Sequence, residues 1–399
     1  MTDSKLRKSL ILLIGALGVL QPLSLDPYLP NIASIASDLK VQESLIQQNL
    51  TFLTLGISIG TAVAGPLSDA IGRRRPILFA LIGYIGAALL SATATNVELF
   101  FTGRVLQGFF AAACLVVSNA MLRDLHSGLQ LIRALGLSMA LMASTWFLGP
   151  AYGSVLQYFT NWRGLGFQLS ILAAFLFVLI LWKLPDTMSA EDRTKSTARE
   201  VASRFLHLLK DRVFLGLVVV QVTISVSLFA YLSVSPFVYG NPYGVGATQV
   251  GLFMALNSVG AYTGAQIGSR FSQRFKPQFV LLAGLIVGAI AGLALIATAL
   301  FKLDFVIFTS ALAIFTLGFG ITITPLIGLA ISSHPEEAGT ANAVIAVSGT
   351  LATTIAGGYY AVIDHTSAIG IGLTQFGFMA FGILVLFVVV KPNQLEALK

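Results

Sequence analysis

The chain is divided into twelve long apolar stretches, and this division constrains its fold more than any other feature. At ~1.5 Å per helical residue, about 20 residues cross a hydrocarbon core of roughly 30 Å. Each stretch therefore reads as a membrane-spanning α-helix, the one open structure that satisfies its own backbone in lipid. The spans run approximately over residues 9–31, 45–67, 76–95, 98–122, 131–157, 164–184, 212–238, 247–269, 277–299, 303–331, 336–361 and 367–390. Composition agrees, with 56% hydrophobic and only 10% charged residues, against roughly 25% charge in a soluble domain. The expected fold class is an all-α membrane protein of 12 transmembrane helices in two pseudo-symmetric six-helix bundles.

The net charge of +7 does not point to nucleic acid, because the basic residues sit in short loops between apolar blocks and not in a patch on a soluble domain. With the N-terminus in the cytoplasm, only Lys40, Arg163 and Lys302 fall outside and Arg104 within a span, and the remaining Lys and Arg are inside. That bias orients the protein with both termini cytoplasmic. The basic Lys5 to Lys8 and the apolar run from Leu10 resemble a signal peptide, but no small-residue cleavage site follows, so a retained first helix is expected.

The charged connection at 185–211 reads as a cytoplasmic linker between an N-terminal bundle, 1–184, and a C-terminal bundle, 212–399. Val201, Phe205 and Leu208 give its later part an apolar face, which fits either a helix lying on the membrane surface or a short solvated helix. The halves echo one another: Arg73-Arg74-Arg75-Pro76 recurs as Arg274-Phe275-Lys276-Pro277, 201 residues later. A repeat of that length is what transporters built from two related halves show.

The loop after span two reads Gly65-Pro66-Leu67-Ser68-Asp69-Ala70-Ile71-Gly72-Arg73-Arg74. It resembles the signature of the major facilitator superfamily in that loop, Gly-x-Leu-x-Asp-x-x-Gly-Arg-Arg, at every position. Physically, Gly65 is expected to let helices approach closely, Gly72 to allow a tight turn, and Asp69 to sit as an anion at a facing helix N-terminus. The resemblance makes that helix span eleven, whose start would be His334-Pro335-Glu336-Glu337. Asp69, Arg73 and Arg74, with Asp124 at the inner end of span four, are expected to form a charge cluster that latches the cytoplasmic side in the outward-open state. The alternative, that Arg73 to Arg75 only enforce topology, is preferred for Arg75.

Span four contains Arg104-Val105-Leu106-Gln107-Gly108, similar to the superfamily's Arg-x-x-Gln-Gly motif. A buried arginine in lipid needs a partner or a wet cavity. Asp26, the one carboxylate lying away from the ends of a predicted span, is at a similar depth, so an Asp26–Arg104 pair across a central cavity is expected. Leu25-Asp26-Pro27-Tyr28-Leu29-Pro30 resembles the first helix of the bicyclomycin, chloramphenicol and florfenicol resistance exporters, and Arg123-Asp124 matches the same branch. The resemblance makes Asp26 and Arg104 the proton-coupling residues; a purely structural ion pair is the alternative. Gly149-Pro150-Ala151-Tyr152-Gly153 in span five is similar to the antiporters' Gly-Pro-x-x-Gly motif, with Ser154 where a further glycine is usual. It reads as a hinge or a tight interhelical seam.

Asp26, Tyr28, Asn49, Arg104, Gln107, Gln221, Tyr231 and Asn257 are the candidate substrate contacts, Thr54 being a further polar residue within a span. Single polar residues in membrane helices equally serve as interhelical hydrogen bonds, and the 28 phenylalanines suit either an apolar cavity or the lipid face. The resemblance implies proton-coupled efflux of a small amphiphilic drug by alternating access, in the bacterial inner membrane. In apolar surroundings a carboxyl group favours its neutral form while a nearby guanidinium favours the charged one, a balance that substrate can tip. A proton-coupled nutrient or metabolite symporter is the alternative.

Catalytic residues are not expected. No Gly-x-x-x-x-Gly-Lys-Ser/Thr or His-Glu-x-x-His pattern occurs, and His126, His207, His334 and His365 fall at span ends or in loops. Cys114 is the single cysteine, so neither a disulfide nor a cysteine metal site can form within the chain. No metal or cofactor is expected, with a proton gradient as the energy source, and the partners are substrate and lipid bilayer around a monomer.

Overall fold

The computed structural model describes residues 2–126, 128–156, 159–184, 186–188, 203, 205–240, 243–334, 338–360 and 368–391. The chain divides into two compact units, Met1–Ala198 and Arg199–Lys399. In the first, α1 (Thr2–Leu25) passes through a 3₁₀ segment, Asp26–Asn31, into α2 (Ile32–Leu39), followed by the short α3 (Glu43–Gln47) and by α4 (Asn49–Ile71). Four long helices complete it: α5 (Arg74–Ala92), α6 (Val97–Leu125), α7 (Gly128–Leu156) and α8 (Arg163–Lys183). The second contains α9 (Arg212–Gly240), α10 (Ala247–Ser272), α11 (Pro277–Leu300), α12 (Phe305–Ser333), α13 (Ala338–Tyr360) and α14 (Ala368–Val385), which ends in a π-helical turn, Leu386–Val390.

Helices thus occupy all twelve expected places, and among the described residues ten spans are long and apolar enough to cross a membrane. By composition α10 is the more polar of the long helices, interrupted by Gln249, Asn257, Gln266 and Arg270. Large apolar side chains such as Phe79, Ile171 and Trp182 stand exposed, as a lipid-facing surface requires and an aqueous one disfavours.

The first span extends to Leu39, beyond the expected end at residue 31, and is broken on the way. Pro27 and Pro30 have no N–H to give, and each disfavours the α conformation in the residue before it. The chain responds with 3₁₀ geometry over Asp26–Asn31 and resumes an α-helix at Ile32.

Within the first unit α4 lies against α6, α5 against α6 and α8, and α1 against α6 and α7. The second unit repeats the arrangement of its second and fourth long helices, α10 on α12. Small residues make both seams. A Cβ on Gly56 would penetrate the Val105 backbone, and one on Gly264 the Leu317 backbone. Without a hydrophobic drive between helices in lipid, such close contact is a principal source of their association.

Of the linker face, Leu208 is fully buried, while Val201 lies outside the described residues. Pro335, Glu336 and Glu337, at the expected start of span eleven, also lie outside them, as does His365.

Candidate functional site

The 3₁₀ segment brings four helices to one polar centre. Because Pro27 has no N–H, the Ser24 carbonyl lacks the i+3 donor that a 3₁₀ turn would supply. Arg104 of α6 supplies one instead, its Nη2 donating to Ser24 O. The same guanidinium donates from Nε to Asn49 Oδ1 of α4 at 2.5 Å and from Nη1 to Gln107 Oε1 at 2.6 Å. Its carbon lies 4.0 Å from the centre of the Tyr28 ring. Arg104 is completely buried, so these contacts replace water on every side of the charge. Gln107 Nε2 donates in turn to Tyr84 Oη at 3.3 Å, and the Tyr84 hydroxyl meets Ser24 Oγ at 2.7 Å.

The expected Asp26–Arg104 ion pair is not formed. Asp26 is buried, its Oδ2 has no hydrogen-bond partner, and it packs against α7, where a Cβ on Gly149 would fall 2.7 Å from the Asp26 Cβ. The guanidinium instead directs its N–H groups to the neutral acceptors Asn49, Gln107 and Ser24 O.

Gly153, one turn after Gly149, seats the rest of the segment. A Cβ there would overlap Pro27 O and stand 2.6 Å from Pro27 Cα. Asn31 Nδ2 ties the segment down further, donating to Pro27 O at 2.8 Å and to Gly153 O at 3.3 Å. Pro150 lies between these glycines within α7. Gly65 differs: a Cβ there would meet only Val116 Cγ1, at an ordinary 3.7 Å. Its expected role in close helix approach is therefore corrected; that role falls to Gly56, Gly60 and Gly108, each of which faces backbone across the α4–α6 seam. Gly153→Ala should lower stability by about 1–3 kcal/mol, the usual cost of overpacking. Gly65→Ala should stay within roughly 0.5 kcal/mol of the parent, both read from thermal midpoints in detergent.

Between α4 and α5 the chain turns at Gly72, whose φ of 89° suits glycine and few other residues. The turn buries Arg73 in a charge cluster: it pairs with Asp69, bonds Asp124 Oδ2 from Nε at 2.9 Å, and donates to Ser68 Oγ at 2.8 Å. Burial alone would depress the guanidinium, and the bonds to Asp124 and Asp69 outweigh it, holding Arg73 above the usual arginine value. The Arg73 N–H donates to Asp186 Oδ1 at 2.9 Å, and Thr187 donates to Asp124 at 3.1 Å.

The Arg74 N–H shares Asp186 Oδ1 at 3.4 Å, but its side chain stands apart from this cluster, in contrast to the expectation. Starting α5 one residue after the turn, it points elsewhere and donates from Nη2 to Leu181 O at 2.8 Å. Arg73→Ala, which strands two carboxylates, should cost about 2 kcal/mol, the range for hydrogen bonds to charged groups. Arg74→Ala should cost under about 1 kcal/mol, because that bond is exposed. Parallel thermal melts separate the two.

In the second unit the remaining candidates find separate settings. Gln221 donates to Ser225 Oγ at 2.9 Å beside Gly349, and Tyr231 stacks obliquely on Phe315 with ring centres 6.3 Å apart. Asn257, fully buried, donates to Tyr239 Oη at 2.9 Å. Thr54 turns its hydroxyl to Thr51 O of its own helix. Sequence reasoning missed Ser24 and Tyr84 at the arginine and Ser68, Asp186 and Thr187 at the loop. Tyr84 alone carried a signal, as the one tyrosine within the apolar third span.

Membrane helices that bury an arginine and a carboxylate in a polar centre have the construction of a transporter. The chain belongs to the Major Facilitator Superfamily, which matches residues 14–357. It is a multi-pass membrane transporter and not an enzyme. It is 31% identical over 395 residues to the uncharacterized MFS-type transporter YdgK of Bacillus subtilis, covering 98% of this chain and 97% of that one. It is 29% identical over 335 residues to a bicyclomycin resistance protein homolog of Haemophilus influenzae, covering 84% of each. Its fold is similar to the crystal structure of a D-xylose-proton symporter, with a TM-score of 0.78 over 98% of this chain and 99% of that one, at 17% identity.

Proposed function

We propose that the chain exports a small amphiphilic drug or antibiotic in exchange for protons by alternating access, from a bacterial inner membrane with both termini cytoplasmic. The observation that carries this reading is Asp26: a buried carboxyl group, unpartnered at Oδ2, on a proline-broken segment between the Arg104 cluster and the glycine seat of α7. A neutral Asp26 rests on Gly149 without an uncompensated buried charge. A charged Asp26 is drawn toward the guanidinium of α6, so protonation selects the helix toward which the segment leans. The lean is passed to α7 because Gly149 and Gly153 leave no slack. The name of the Haemophilus relative supports a drug as cargo, whereas the likeness to the xylose symporter speaks for the fold alone.

The test is expression in a drug-sensitive host against a panel of antibiotics, followed by everted vesicles carrying an acid interior. Export in exchange for protons predicts resistance to particular compounds and a partial collapse of the pH gradient when such a compound is added. Unchanged drug sensitivity together with proton-driven uptake of a nutrient into whole cells would establish the symporter instead.

A further inference from the structure

We infer that the second unit carries a binding site for an anionic phospholipid where α10 meets α11. A cavity of about 670 Å³ opens there, within the roughly 300–1,000 Å³ typical of small-ligand sites. Its mouth carries Arg274 and Lys276, and its walls are Phe271, Phe275, Phe279 and Ala283, with Ile321 of α12 at depth. From Pro277, where α11 begins, to Ala283 is six residues, so the apolar slot descends ~9 Å from the loop at ~1.5 Å per residue. Cations at a membrane surface above an apolar slot match an anionic head on a hydrocarbon tail.

The internal repeat shows why these cations are available. In the first unit the equivalent loop neutralises Arg73 with Asp69 and Asp124. At the 201-residue offset those two acids become Arg270 and Pro325, and Arg74 becomes Phe275. The second loop has kept two of the three basic residues, lost both carboxylates and gained an aromatic wall. Among the described residues neither Arg274 nor Lys276 has an ion-pair partner, and both side chains are exposed. An anion from outside the chain completes what the first unit completes internally. A phospholipid fits better than a soluble anion, because Phe271 and Phe275 stay about half exposed beside the charges, and a lipid tail covers them.

The site requires only that α10 and α11 end at a membrane surface, so it stands whether the protein exports or imports. The experiment reconstitutes the full chain in nanodiscs of mixed phosphatidylglycerol and phosphatidylethanolamine, then counts retained lipids by native mass spectrometry after detergent release. The parent should retain phosphatidylglycerol selectively. Each basic side chain near an anionic surface contributes roughly fivefold, so Arg274→Gln with Lys276→Gln should weaken retention by up to about 25-fold. A charge-matched control, Lys40→Gln with Lys302→Gln, should leave it unchanged. Ala283→Phe, which fills the slot and keeps both cations, should also reduce retention, and equal helical content and elution volume verify folding of each variant. Equal retention of the two lipids by the parent, or retention by the Arg274 and Lys276 double variant matching the control, overturns the site.

Discussion

Replacing Asp26 by Asn is expected to abolish uphill export while leaving substrate binding and downhill exchange in place. Asn keeps the shape that rests on Gly149, where the clearance from Asp26 Cβ is already short. It cannot give up a proton at Oδ2, the atom that has no partner. One charge moved across 100 mV is worth about 2.3 kcal/mol, which sustains a substrate gradient of roughly 50-fold for each proton exchanged. In energised proteoliposomes the parent should approach such a gradient, and Asp26→Asn should equilibrate substrate to about 1:1. Proton release on drug binding in detergent should vanish in the same variant. If Asp26→Asn still releases protons and still concentrates substrate, another group couples transport to the gradient. Loss of binding together with transport would make Asp26 a substrate contact without a coupling role.

The spans were legible because a membrane demands long apolar blocks whatever their partners, and the loop from Gly65 to Arg74 declared the family through its spacing. What escaped the sequence was set by neighbours distant along the chain. Pro27 and Pro30 were visible, but a proline in a membrane helix is compatible with a kink or with a 3₁₀ break, and packing on Gly149 and Gly153 decides between them. Pairing Arg104 with the nearest carboxyl group ignored backbone carbonyls, and a proline had made one of these available at Ser24. Asp69, Arg73 and Asp124 do come together. Arg74 does not join them, because adjacent side chains at a helix start point apart and the turn at Gly72 aims only the first of them inward.

Arg104 is expected to tolerate lysine scarcely better than glutamine, and this outcome separates a structural connector from a simple countercharge. Its three acceptors lie on three different segments: Asn49 on α4, Gln107 on α6 and Ser24 at the end of α1. A planar fork reaches all three at once and offers its face to the Tyr28 ring, whereas an ammonium group on a flexible stem reaches one or two and cannot stack. Interhelical hydrogen bonds in membranes average about 0.6 kcal/mol and reach about 1.7, so removing the two to Asn49 and Ser24 O with Arg104→Gln should cost about 1–3 kcal/mol. Lysine should recover less than about half of that loss in a thermal melt, despite its identical charge. Had the arginine served only to balance Asp26, charge alone would suffice and Arg104→Lys would behave as the parent. A lysine variant with the parent's melting midpoint and full uphill export would therefore remove the connector role and return Arg104 to a plain ion pair with Asp26.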